Sequence, residues 1–204
     1  MDKDAQKRLI NSARDLFYQK GYSGTSVREI ARNANVTLAL LHYYYRTKEA
    51  MFEIVFKDAF YKLFEELNTI LTMDISVFDK IRQIAVSYIQ VSIQNPKLPN
   101  FVFNESSTNP QIIMPLINKC LVEIDVNANF EKLSLEIENA IGENKMKHVD
   151  QYQLCFDILS LSLFPFMAKD CLVNMQTIDE ETFKMVINQR GEHIAKLLID
   201  SITL

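Results

Sequence analysis

Three histidines, three cysteines and 26 acidic residues are the side chains of this 204-residue chain that could hold a metal or move a proton. Their spacing builds no such site. His42, His148 and His193 stand far apart, and no HExxH, CxxC or phosphate-loop pattern occurs. His148 and Asp150 are close in sequence, but they lie in and beside the polar linker ENKMKH, where both read as solvated. Cys120, Cys155 and Cys171 show no paired spacing and read as buried thiols of a cytoplasmic protein. No catalytic residue, metal site or cofactor motif is expected. What remains is binding chemistry, concentrated between Thr25 and Lys48 in TSVREIARNANVTLALLHYYYRTK.

That stretch reads as two short helices, a tight turn between them, and the start of another helix. Ser26 can cap the first, with Glu29 three residues on to close a capping box. Ile30, Ala31 and Ala34 give it a small apolar face. Asn35 falls at the turn, where a left-handed residue is needed and Asn tolerates it. Val36 can plug the core between the helices. Thr37 can cap the second helix, which carries Leu38 to Tyr45, and Thr47 can cap the next. This is helix-turn-helix grammar, whose use is to lay the second helix in the DNA major groove. Charge agrees. The first 50 residues hold 9 of the 22 Lys and Arg but 5 of the 26 Asp and Glu, a net of +4, while the rest stands at −8. A basic head on an acidic protein hints at nucleic-acid contact through one end.

The rest of the chain must position that head. Only 4 Gly and 5 Pro occur in 204 residues, and apolar residues recur at helical spacing, so an all-α fold of about nine helices is expected. A helix from Asp4 to Lys20 precedes the motif and ends at Gly21. A long helix from Lys48 to about Thr72 joins the head to the remaining core. Ser76 can cap the next, which ends before Asn95-Pro96. Glu105 to Asn109, ESSTN, reads as turn chemistry. One helix is expected from Pro110 to Ala140, ending at Gly142. The stretch Asp150–Met175 is apolar almost all round, with Pro165 inside it freeing the Leu161 carbonyl. The last helix runs from about Asp179 to Ile202. No apolar run is long enough to span a bilayer, so no membrane partner is expected.

The order ARDLF, GY, TSVREIA, then L-YYY and K from Ala13 to Lys48 resembles the TetR family of bacterial transcriptional regulators. The resemblance covers the first quarter of the chain. It implies a DNA-binding head over residues 1–47 and a helical ligand-binding and dimerisation body over 48–204. It places Thr25, Ser26 and Arg28 at DNA around the second helix of the chain. It places Thr37, Leu38, Ala39, Leu40, His42, Tyr43 and Tyr44 on the recognition helix, and Lys48 at a phosphate. The family usually has Gly where Asn35 and Ala39 stand, Tyr where His42 stands and Phe where Tyr45 stands. Between Thr37 and Tyr45 there is no Arg, Asn or Gln, the commonest readers of guanine and adenine edges. Readout weighted toward thymine methyl groups is therefore expected, with Tyr43 and Tyr44 gripping phosphates. Leu41 and Tyr45 fall on the inner side.

The same resemblance implies a pocket for a small apolar or amphipathic effector. Tyr88, Phe103, Met114, Ile117, Phe164 and Met167 are candidate walls and Asn104 a polar member, although each also reads as plain core. It implies a homodimer through the last two helices, whose apolar surplus exceeds what one body needs. The expected function is a dimeric repressor on a double-stranded DNA operator, released by the effector. The alternatives are a ligand-dependent activator, or a helical small-molecule-binding protein whose head is vestigial.

Overall fold

The computed structural model describes residues 3–175 and 178–204. Among them are ten helices and a single isolated β-bridge, Met146 to Thr203. The helices are α1 (Lys3–Lys20), α2 (Val27–Asn33), α3 (Leu38–Tyr45), α4 (Lys48–Thr72) and α5 (Val77–Gln94). They continue with α6 (Leu98–Thr108), α7 (Pro110–Glu123), α8 (Val126–Gly142), α9 (Gln151–Asn174) and α10 (Glu180–Ile202). No helix among the described residues is long and apolar enough to cross a membrane.

Two departures from the sequence reading have local causes. The expected single helix from Pro110 to Ala140 is two, broken where Asp125 takes φ 51. Asp is among the few residues that tolerate this left-handed backbone. The ESSTN stretch is not a turn, because α6 runs through Thr108. The hydroxyls of Ser106, Ser107 and Thr108 donate to the carbonyls of Val102, Phe103 and Asn104, at 2.7, 3.0 and 2.8 Å. Bonding back four residues keeps these polar side chains inside a helix.

The chain forms two compact units. The first takes the chain through Tyr61, together with Asn100–Cys120. Its core is aromatic. Phe17 meets Phe52 edge-on at 5.0 Å, and Phe101 of α6 packs on Tyr18 at 4.6 Å and on Phe52 at 5.9 Å. Helix α1 ends at Gly21, φ 70, whose N–H returns to the Phe17 carbonyl. A Cβ there would also fall 2.5 Å from the Glu105 carboxylate, which would have to shift, and the positive φ itself favours glycine. Glu105 is buried, and accepts from the Tyr22 N–H at 3.0 Å and from Asn109 Nδ2 at 2.9 Å.

The second unit is Lys62–Pro99 with Leu121–Leu204. Helix α5 packs chiefly on α10 and α9. Ile81, Ile84 and Ile89 of α5, Ile158 and Phe166 of α9, and Ile187, Ile194 and Leu198 of α10 form its core. Helices α5 and α10 approach so closely that a Cβ on Gly191 would lie 2.9 Å from the Val86 Cα. Ser76 caps α5 through the Asp79 N–H at 3.1 Å, and Asp150 caps α9 through the N–H groups of Tyr152 and Gln153. Pro165 leaves the Leu161 carbonyl without its helical donor, and the Arg190 guanidinium supplies two N–H groups to it at 3.3 and 3.4 Å.

Candidate nucleic-acid interface and ligand cavity

In the first unit α1 is the frame on which α2 and α3 are hung. Ser12 donates to the Ile30 carbonyl at 2.9 Å, buried, and Arg8 Nε donates to the Ala34 carbonyl at 3.2 Å. Tyr45 donates to the Gln6 carbonyl at 3.1 Å, which fixes the end of α3. Leu41, wholly buried, and Tyr45, 8% exposed, form the inner face of α3, as its sequence pattern predicts.

The turn between α2 and α3 closes as the sequence reads. Asn35 takes φ 50, and the Val36 N–H reaches back to the Ala31 carbonyl at 3.0 Å. Ser26 accepts from the Glu29 N–H at 3.2 Å and Thr37 from the Leu40 N–H at 3.3 Å. Both hydroxyls sit at exposed helix starts and keep their own O–H to donate. Two helix N-termini of this kind suit phosphates.

Outward from α3 stand Leu38, Ala39, His42 and Tyr43, with Tyr43 70% exposed. Leu40 and Tyr44 are half-buried, and the Tyr44 ring meets that of Tyr43 edge-on at 5.3 Å. The His42 ring is held by its own helix end, Nδ1 lying 2.8 Å from the Arg46 carbonyl. A carbonyl only accepts, so Nδ1 carries the proton and Nε2 is left for other partners. Arg28 is exposed on α2. Arg32 and Arg46, which the sequence reading did not single out, are exposed beside it and just after α3; none of the three forms an ion pair with a described residue. The signal for Arg46 was its place directly after the recognition helix.

Two assigned residues stand differently. Thr25 is buried, and its hydroxyl donates to the Gly21 carbonyl at 2.8 Å. Lys48 is half-buried. Its ammonium donates to the carbonyls of Tyr22 and Thr25, at 2.8 and 2.9 Å, and lies 4.0 Å from the centre of the Tyr22 ring. Both residues therefore brace the connection between α1 and α2. The Tyr22 hydroxyl donates to Glu49, and burial with this bond pushes the phenol up to about 12.

The second unit contains an apolar cavity of about 150 Å³. Of the seven residues proposed from sequence as pocket members, only Tyr88 lines it. Phe103, Met114, Phe164 and Met167 are exposed, Ile117 is half-buried and Asn104 is exposed on α6. The walls come instead from Leu71 of α4, Ile81 and Ile84 of α5, Leu133 and Ile137 of α8, and Cys155 of α9. Burial pushes the Cys155 thiol up from its ordinary value.

Exposed Phe164 and Met167 belong to a different feature. With Tyr152 and Phe156 they form an outward apolar stripe along α9, and Val186 and Leu197 are exposed on α10.

Comparison with known proteins agrees with this architecture. The family model described as bacterial regulatory proteins, tetR family, matches residues 9–55. A Bacillus subtilis protein described as probable HTH-type transcriptional regulator YttP is 29% identical over 126 residues, 60% of each chain. The negative transcriptional regulator IcaR of the Staphylococcus aureus biofilm operon icaADBC is 29% identical over 104 residues, 45% of this chain and 54% of IcaR. The matched stretch thus spans little more than half the length of these relatives. The structure of the TetR family transcriptional regulator PfmR from Thermus thermophilus superposes with a TM-score of 0.65 at 17% identity, covering 93% of this chain and 97% of PfmR. These relatives are regulators rather than enzymes. The family model thus identifies residues 9–55 as the head segment of the tetR family of bacterial regulatory proteins, and the full-length likeness to PfmR shows the same fold.

Proposed function

We propose that the protein is a cytoplasmic, dimeric transcriptional repressor that binds a double-stranded DNA operator and leaves it when a small molecule enters the body. The observation that carries this reading is the recognition helix. Helix α3 is capped by Thr37, pinned to α1 by Tyr45, and presents Leu38, Ala39 and Tyr43 outward, while Arg28 on α2 and Arg46 just after α3 are exposed. Ser26, Thr37, Tyr43 and Tyr44 contact phosphates, and Leu38, Ala39, Leu40 and His42 meet base edges. Thr25 and Lys48 act from behind, setting the pose of α2. Residues 1–47 serve as the DNA-binding domain and 48–204 as the ligand-binding and dimerisation domain.

The dimer uses the exposed apolar residues of α9 and α10. A two-fold four-helix bundle covers exposed residues such as Phe156, Phe164 and Leu197, which water otherwise meets. The effector occupies the cavity beside Tyr88. IcaR, a negative regulator by its name, supports repression over activation. A gel shift with the DNA upstream of the protein's own gene tests the reading. Specific binding that weakens steeply with added salt is expected, because phosphate contacts release counterions. Equal retention of that DNA and of a scrambled duplex of the same length would overturn it.

A further inference from the structure

We infer that the effector is a small neutral molecule, about the size of one aromatic ring, apolar over most of its surface and carrying one oxygen that hydrogen-bonds Tyr88. This deepens the ligand-release reading and rests on it.

Size comes first. A cavity of about 150 Å³ walled by aliphatic and aromatic side chains is the volume that accommodates benzene.

Charge comes second. No side chain in the wall is ionised at neutral pH. The buried cation nearby, Lys80, is wholly enclosed. Its ammonium donates to the carbonyl of the wall residue Leu71 at 3.0 Å and to both Glu136 carboxylate oxygens at 2.7 Å. All three of its N–H groups are used, and its charge is cancelled. A carboxylate or ammonium entering the cavity would lose its water and meet no opposite charge.

Polarity comes third. The Ser134 hydroxyl already donates to the Phe130 carbonyl at 2.9 Å. Gln151 is half-exposed at the start of α9. Tyr88 is only 4% exposed, and its hydroxyl has no hydrogen bond with any described residue. A phenol hydroxyl in an otherwise apolar wall can hydrogen-bond an alcohol, phenol or carbonyl oxygen in the cavity. A pure hydrocarbon fills the space and leaves the hydroxyl unpaired.

The test uses the full chain and four probes: phenol, toluene, benzoate and dodecanoate. Affinity is measured by calorimetry, and occupancy of the cavity by mass spectrometry of cysteine alkylation. Phenol is expected to bind at one site per chain and to slow alkylation of Cys155 in the wall while leaving exposed Cys171 unaffected. Tyr88→Phe keeps the ring and removes the oxygen. It is expected to weaken phenol roughly two- to tenfold, the net worth of one hydrogen bond, and to leave toluene unchanged. Benzoate and dodecanoate are expected not to bind. Preference for either anion, or equal phenol affinity in wild type and Tyr88→Phe, would overturn the inference. Gel shifts on the same preparations separate the two claims. Specific DNA binding without phenol binding removes the ligand class alone; phenol binding without specific DNA binding removes the regulator reading alone.

Discussion

Leu38, Ala39 and Leu40 offer methyl and methylene groups where most recognition helices offer amides or guanidiniums. Such groups discriminate by packing on the thymine C5-methyl rather than by hydrogen bonds. Replacing operator thymines one at a time by uracil removes only that methyl. Affinity is expected to fall several-fold at a few positions per half-site; a flat response across the operator would dismiss methyl readout. Other residues respond to pH. Asp179 is held below the usual carboxylate range because it accepts the Thr182 N–H at 2.7 Å, and Glu29 because Lys20 bonds it. Depressed carboxylates stabilise the fold fully above about pH 4 and lose that contribution as pH falls through their lower folded values. Urea unfolding of Asp179→Ala should therefore differ most from wild type at pH 7 and converge on it near pH 2. A gap that widens with acid would contradict the cap. Residue-scale roles were legible where the signal was local. Ser26, Thr37 and Asn35 were readable because caps and turns involve neighbours three or four positions away. The packing of Thr25 and Lys48 was not. Their hydroxyl and ammonium are taken by carbonyls of the α1–α2 connection, whose position the fold decides.

Helices α9 and α10 show how one element repairs another. Pro165 frees the Leu161 carbonyl, as its place inside the helix predicts, but nothing local in the sequence points to Arg190 as the group that satisfies it. Arg190→Ala is expected to cost about 1 kcal/mol, the value of a partly buried hydrogen bond. In a Pro165→Ala background the helix supplies its own N–H, so the same Arg190 change should cost less. A double-mutant cycle by urea unfolding measures this, and strict additivity would refute the pairing. Gly191 gives a sharper sign. In an open helix, Gly to Ala stabilises by about 1 kcal/mol. Here the new methyl would meet the Val86 backbone, so Gly191→Ala is expected to destabilise by roughly 1–3 kcal/mol. A raised melting temperature would show that α5 and α10 are not so tightly packed. The amphipathic helices were legible from periodicity. The α7–α8 break was not, because it turns on one Asp in a left-handed backbone. The cavity walls were also hidden, because aliphatic wall and aliphatic core look alike in sequence, and only Tyr88 was found.

At the scale of the whole molecule, charge and apolar surface point to different partners. The basic first 50 residues suit the proposed nucleic-acid contact, and the exposed apolar residues of α9 and α10 suit the proposed second copy of the chain. Sedimentation at micromolar concentration is expected to give a dimer, reduced to monomer by Phe164→Glu with Leu197→Glu; a monomeric wild type would count against the arrangement. A two-fold dimer presents two recognition helices to half-sites roughly 34–36 Å apart, or a multiple of that. A nearly complete ligand switch needs about 5.5 kcal/mol of difference between the ligand's affinities for the two shapes. All of this depends on α3 and its flanking cations touching DNA. The most direct measurement is fluorescence anisotropy of the upstream duplex at low ionic strength, comparing wild type with Arg28→Ala plus Tyr43→Ala. Both side chains are exposed, so the fold is left intact. At least tenfold weaker binding by the variant, with unchanged helicity, is the predicted result. Equal affinity of the two proteins would contradict the account.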